Sequence, residues 1–276
     1  MNTRNIAIIA HVDHGKTTLV DCLLRQSGQF HNNEKVIDRV MDSNALEKER
    51  GITILSKCTS IDWKNIRINI VDTPGHADFG GEVERILNMV DGVMLLVDAA
   101  EGPMPQTKFV LTKALNQNLN PIVLINKVDR SDQRATEVLN DIFDLFIALD
   151  ANDKQLDFPV LYSSAKNGWA SNDPNTTGQD MEVLLEKIVG HIPPPDADPN
   201  GPLKMLVTSL ERDPYLGRVL TGRINSGSIQ TNQKVKSIDR TGKLVEKTRI
   251  TKLLNFRGLE RTAIKEAFAG DIIAIA

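Results

Sequence analysis

Short apolar runs alternate with longer amphipathic stretches through residues 1–190. Residues 6–10 (Ile-Ala-Ile-Ile-Ala) are uniformly apolar, which predicts a strand buried on both faces. Residues 16–24 follow with Leu19, Leu23 and Leu24 on one helical face. Residues 59–63 and 66–71 flank Lys64-Asn65 in the pattern of a hairpin. Further strands are predicted at 92–97, 121–125 and 159–162, and helices at 106–115 and 181–188. Between them Val138, Ile142, Leu145 and Leu149 recur at helical spacing. Strands alternating with helices predict an α/β domain, a mostly parallel, doubly wound sheet covered on both faces, with the hairpin as one antiparallel edge.

The pattern changes after Pro193-Pro194-Pro195. Consecutive prolines are stiff and extended, so residues 192–202 read as a spacer between domains at 1–191 and 203–276. In the second, short strand-like runs at 203–210, 217–224, 235–238, 244–251 and 272–276 are separated by Gly or Asn, which predicts a small all-β barrel. The chain stops inside an apolar run at Ala276, and a barrel ending there lacks a closing strand. The expectation is an amino-terminal piece of a longer protein.

Composition narrows the class. Over 276 residues, 41% are hydrophobic and 25% charged, ordinary for soluble globular proteins and unlike disordered or fibrous chains. Cys22 and Cys58 form no C-x-x-C pair and no disulfide framework, so a reduced, cytoplasmic setting is expected. No apolar run approaches the ~20 residues of a membrane span. Aromatics at 4% argue against a base-stacking platform. Residues 1–199 carry 19 basic and 29 acidic side chains, and residues 200–276 carry 14 and 7. The sign of the net charge therefore switches from −10 to +7 between the halves. The basic half can meet nucleic acid, or simply present a solvated cationic face.

Five segments carry the chemistry. Ala10-His11-Val12-Asp13-His14-Gly15-Lys16-Thr17 has phosphate-loop spacing, with Ala10 in place of the first glycine, between a strand and a helix. Backbone N–H groups of Asp13, His14, Gly15, Lys16, Thr17 and Thr18 would converge on phosphate oxygens at the helix start. Lys16 would neutralise the β/γ-phosphates and the Thr17 hydroxyl would ligate Mg²⁺. In Val71-Asp72-Thr73-Pro74-Gly75-His76 a strand ends in a carboxylate suited to the Mg²⁺ shell, and Gly75 lets a backbone N–H approach a γ-phosphate. Alone, that tetrapeptide is also an ordinary β-turn. In Asn126-Lys127-Val128-Asp129, Asp129 can accept from guanine N1–H and the 2-amino group, a pair adenine does not offer; it can equally cap a helix. In Ser163-Ser164-Ala165-Lys166 the Ala165 N–H can meet guanine O6. In Glu49-Arg50-Gly51-Ile52-Thr53, Thr53 is a candidate mobile Mg²⁺ ligand. Each motif alone is weak to moderate. All five in order, at or leading to predicted strand ends, describe one nucleotide site.

Together A-H-V-D-H-G-K-T-T, E-R-G-I-T, D-T-P-G-H and N-K-V-D resemble the translational GTPases, the elongation-factor family. Within it the wording of residues 4–24, 42–54 and 69–114 most resembles the BipA/TypA-type, ribosome-associated branch. The likeness covers nearly the whole chain. The family's proteins have further carboxy-terminal domains, and Ala10 suits its version of the phosphate loop. The resemblance implies that His76 orients the attacking water once ribosomal RNA moves it into place, with Val12 and Ile52 as an apolar gate. No arginine finger stands out beyond Arg50. The implied activity is slow intrinsic GTP hydrolysis, strongly stimulated by the ribosome, with GTP/GDP and Mg²⁺ as ligands. A monomer without membrane or DNA partners is expected. The competing readings are a non-catalytic GTP-dependent RNA clamp, and an elongation factor for tRNA delivery or translocation. No metal-binding His or Cys cluster and no serine-hydrolase motif appears, and His31 and His191 read as isolated and exposed.

Overall fold

The computed structural model describes residues 3–28, 57–73, 80–258 and 260–276. These divide into two compact units, residues 1–194 and 195–276. Unit 1 is an α/β sandwich around a seven-stranded sheet in the order β2-β3-β1-β4-β5-β6-β7. Its strands are β1 (Thr3–Ala10), β2 (Cys58–Trp63), β3 (Ile66–Asp72), β4 (Gly92–Asp98), β5 (Asn120–Asn126), β6 (Val160–Ser164) and β7 (Trp169–Ser171). The five central strands β3, β1, β4, β5 and β6 are parallel. The predicted hairpin forms one antiparallel edge, and β7, unread in the sequence, forms a second.

The parallel strands are apolar along their whole length because helices cover both faces. The described helices are α1 (Lys16–Gln26), α2 (Gly80–Leu87), α3 (Pro105–Asn116), α4 (Ala135–Ala148), α5 (Asp153–Leu156) and α6 (Glu182–His191). Ile6, Ile8, Leu19, Leu23, Leu95, Leu124, Ile142 and Phe146 are fully or almost fully buried between them. At the amino edge of the sheet, Asn69 Nδ2 donates to Asn5 Oδ1 (2.7 Å) and Asn5 Nδ2 to Asp91 Oδ2 (3.0 Å), so the polar groups there are paired. A Cβ at Gly92 would collide with the Ile192 side chain, so that strand start must be glycine for the segment after α6 to pack. No described helix is long and apolar enough to cross a membrane.

The chain leaves β1 toward β3 on one side, and β4 then forms on the other. The carboxyl end of β1 therefore lies at the point where strand order reverses, the usual ligand crevice of such sheets.

Unit 2 is all-β. A five-stranded antiparallel sheet runs β14-β13-β16-β9-β8, with two-stranded ribbons β10-β15 and β11-β12. The strands are β8 (Lys204–Asp213), β9 (Gly217–Ser226), β10 (Ser228–Gln230), β11 (Lys234–Ile238), β12 (Leu244–Arg249), β13 (Leu253–Arg257), β14 (Glu260–Ile264), β15 (Glu266–Phe268) and β16 (Ile272–Ile275). Ile224, Ile229, Ile250, Leu253, Ala267, Ile273 and Ile275 make its core. The stretch read as a spacer is partly packed. Ile192 is buried in unit 1, and Asp198 exchanges backbone hydrogen bonds with Asn225 and Gly227 in unit 2.

Candidate nucleotide site

The motif residues that the structure describes lie at the carboxyl edge of the parallel sheet. After β1 the chain enters left-handed turns at Asp13 (φ 64°) and Gly15 (φ 96°), and α1 begins at Lys16. A Cβ on Gly15 would strike the Asn126 amide, so only glycine fits there. The first turn of α1 has no acidic residue and no side-chain cap. Its leading N–H groups, at Lys16, Thr17 and Thr18, point outward and favour an anion.

Across this helix start, Lys16 Nζ lies 2.5 Å from Asp72 Oδ1 and 2.8 Å from the Thr73 carbonyl oxygen. Parallel pairing sets Asp72 opposite Ile8, and Thr73 Oγ1 donates to the Ile8 carbonyl at 2.7 Å. This fixes the end of β3 beside the phosphate loop. An ammonium, a buried carboxylate and an uncapped helix start fit a polyphosphate with a hard divalent cation. Among the described residues, no three His, Cys, Asp or Glu side chains gather. A Mg²⁺ held by Thr17 and Asp72 would complete its shell with phosphate and water oxygens, as Mg²⁺ commonly does.

His14 turns its side chain inward, with 1% of its surface exposed. The Asp98 N–H donates to His14 Nδ1 (3.3 Å), and His14 Nε2 meets Glu101 Oε2 (3.3 Å). Nδ1 also lies 3.4 Å from the Leu96 carbonyl oxygen, so either ring tautomer finds a backbone partner at the end of β4. Burial lowers its pKa below the ordinary histidine value. His14 therefore serves the site through its backbone, and its ring locks the loop to the end of β4.

Asn126 joins the motifs. Its Nδ2 donates to the His14 carbonyl (2.9 Å), while its Oδ1 accepts from Ser163 Oγ (3.0 Å) and Ala165 N (3.0 Å). One buried amide thus ties the phosphate loop to the ends of β5 and β6. Asn126 braces these loops with its oxygen and one of its two amide hydrogens. The Ala165 N–H, expected at guanine O6, is given to Asn126 Oδ1, so it reaches a base only by sharing its hydrogen.

Lys127 adopts φ 64° and sets Nζ 2.6 Å from Asp98 Oδ2. Asp98 is wholly buried, and its Oδ1 accepts from the Ala100 N–H at 2.7 Å. Burial opposes its charge, but Lys127 and the backbone donors outweigh burial and hold its pKa below the usual aspartate value. Val128 is buried, its N–H bonded to the Ser163 carbonyl (3.2 Å). Asp129 is exposed at the mouth, beside buried Ser164 and exposed Lys166. Asn167 Nδ2 donates to Asp129 Oδ2 (3.1 Å).

Thr53, Gly75 and His76 lie outside the described residues, as do Arg50 and Ile52. Away from the rim, burial raises the Cys22 thiol pKa, which keeps it protonated and inert. His191 is half-buried and its pKa is lowered by burial, a departure from the exposed residue expected. Three residues of the site went unread in the sequence: Asp98, Asn167 and Gln26. Asp98 had a signal, an apolar strand ending in Asp just as β3 ends in Asp72. Asn167 and Gln26 had none, because Asp129, Gly168 and Met181, which they bond, are 38 to 155 residues away in sequence.

The sequence profile of the elongation factor Tu GTP-binding domain matches residues 1–194, and that of elongation factor Tu domain 2 matches residues 217–276. The chain is 57% identical over 272 residues to the large ribosomal subunit assembly factor BipA of Bacillus subtilis strain 168, covering 99% of this chain and 44% of that relative. Against the BipA of Salmonella typhimurium strain LT2 it is 57% identical over 274 residues, covering 99% and 45%. It thus spans under half the length of these relatives. Among solved structures, a bacterial selenocysteine-specific elongation factor superposes with a TM-score of 0.73 at 27% identity, over 100% of this chain and 42% of that one. A Thermus thermophilus protein at 20% identity shares the fold, with a TM-score of 0.71 over 99% of this chain and 52% of that one.

Proposed function

The chain belongs to the elongation factor Tu GTP-binding family, and from that premise we propose that it binds GTP with Mg²⁺ and hydrolyses it to GDP and phosphate as a ribosome-associated switch. The observation that carries this reading is Asn126, whose amide bonds His14 in the phosphate loop, 112 residues away, and Ala165 on the base side, 39 residues away, and so draws them into one rim.

Each group then has a task. Lys16, now paired with Asp72, would turn to the β/γ-phosphates, and the amino end of α1 would bind their oxygens. Mg²⁺ would be held by Thr17, Asp72 and Thr53 and would supply neutralisation of phosphate charge, and Gly75 would offer its N–H to the γ-phosphate. Asp129 selects guanine through two hydrogen bonds to its charged carboxylate, each worth about 1.5–3 kcal/mol. His76 orients the attacking water, a role carried by the family resemblance. Val12 and Ile52 gate it. Catalysis of this kind is positioning and electrostatics, so hydrolysis by the chain alone is slow, and a partner raises it by about 10³–10⁵.

The relatives' name, large ribosomal subunit assembly factor, points to a ribosomal particle as that partner, and hence to the cytoplasm. The charge of residues 200–276 supports contact with ribosomal RNA. In the β11-β12 ribbon, Lys234 faces Arg249 and Lys236 faces Lys247. Val235, on the other face, packs on the core of unit 2, so these four cations point outward. Like charges directly opposed cost stability, and an anionic surface would relieve that cost. A monomer is the proposed state.

The test is phosphate release from GTP, measured with and without ribosomes, for this chain and for one of full relative length. Strong stimulation that His76→Ala abolishes, with nucleotide affinity kept, supports the switch. Ribosomes that retain the protein in a GTP-dependent way but leave turnover unchanged would favour the clamp.

A further inference from the structure

Asn167 lies just past the fourth motif, and it touches both motifs on the base side. Its Nδ2 donates to Ser164 Oγ at 2.9 Å and to Asp129 Oδ2 at 3.1 Å. Both amide hydrogens are used. The orientation is fixed by charge, because the flipped amide would set Oδ1 against a carboxylate. The backbone beneath is held as well. Asn167 N donates to the Ser164 carbonyl (3.1 Å), and Gly168 N does the same (2.9 Å). The Gly168 carbonyl accepts from Gln26 Nε2 at 2.6 Å, and Gln26 Oε1 accepts from Met181 N at 2.8 Å. The last residue of the phosphate-loop helix α1 therefore anchors the turn that carries Asn167. Gly168, at φ 79°, makes that turn possible.

We propose that Asn167 is a positioning residue for base selection: it holds the exposed Asp129 carboxylate against Ser164, so that the remaining lone pairs face guanine N1–H and the 2-amino group. This rests on the reading of Asp129 as the base selector. A carboxylate offers about four lone-pair directions. Asn167 takes one and leaves enough for both guanine donors. Without it the Asp129 side chain rotates freely and must be ordered when nucleotide binds. The loss falls hardest on a base that uses both oxygens at once.

Binding of GDP and of inosine diphosphate, which lacks the 2-amino group, tests this by calorimetry. Asn167→Ala should weaken GDP binding about tenfold, the size of one hydrogen bond to a charged group. It should weaken inosine diphosphate binding clearly less, so the preference for GDP narrows. Asn167→Asp keeps the shape but opposes two carboxylates, and should weaken GDP binding further. In an Asp129→Ala background, Asn167→Ala should cost nothing more. Asn167 is exposed, so thermal midpoints close to wild type are expected for both variants. An equal loss for both nucleotides, or the same cost without Asp129, would make Asn167 a mere brace and overturn the proposal. If the unaltered protein binds GDP, inosine diphosphate and ADP alike, the reading of Asp129 fails, and the role of Asn167 with it.

Discussion

Replacing Asn126 by alanine would remove three buried hydrogen bonds at once, to the His14 carbonyl, Ser163 Oγ and Ala165 N. Each contributes about 0.5–1.5 kcal/mol net, and partners left unpaired in the interior add to the loss. A total of about 3–4 kcal/mol is expected. At about 2–4 °C per kcal/mol for a unit of this size, melting of unit 1 should fall by roughly 6–16 °C. Asn126→Asp separates the two halves of the brace. It keeps an acceptor for Ser163 and Ala165 but faces the His14 carbonyl with a carboxylate oxygen. Its melting should fall less than that of the alanine variant. Its GDP affinity should drop at least as far, by about tenfold or more, because the phosphate loop loses its tether. Scanning calorimetry, with GDP titrations at a temperature where both variants are folded, reads these effects separately. If Asn126→Ala melts within about 1 °C of the parent and binds GDP normally, the amide does not hold the rim together, and the reasoning is wrong.

Gly15→Ala should weaken GDP binding by tenfold or more in calorimetry, since it combines about 1–2 kcal/mol of left-handed strain with displacement of the Asn126 amide. His14 makes unit 1 sensitive to acid. Burial sets its folded pKa below the ordinary value of 6.5, so the unfolded chain binds more protons. Its contribution is complete above pH 6.5 and is lost as pH falls from there through the folded value. Urea midpoints should thus decline between pH 7.5 and 5.5, and His14→Gln should flatten the slope. Asp98, with a lowered pKa, keeps its contribution until pH falls below the usual aspartate range. Lys236→Glu removes a like-charge pair with Lys247, so unit 2 should gain about 0.2–1 kcal/mol in denaturant melts. The same change should weaken ribosome retention, most at low salt; unchanged retention would remove the ribbon from the RNA surface.

The strands that position the site were legible because helices cover both faces of the sheet. Burial on both sides leaves apolar runs such as 6–10, 92–97 and 121–125 that no exposed element would show. Their carboxyl ends then located the motifs. Other elements left weak traces. β7 is three residues long, α5 is a single turn closed by the Asn152 and Gln155 capping box, and α2 opens on two glycines. β10 and β15 are also only three residues each. Within the site, spacing pointed to Lys16, Asp72, Asn126 and Ala165, which lie together at the rim, but not to who bonds to whom. The Ala165 N–H binding Asn126, and Lys127 binding Asp98, depend on loops meeting in space. Composition could not reveal that.

The most direct test is a calorimetric titration of the folded chain with GDP and with ADP in the presence of Mg²⁺. One GDP site, with ADP at least about a hundredfold weaker, is the expected result. No heat from GDP, or equal binding of ADP, would contradict the assignment of this rim as a guanine-nucleotide site.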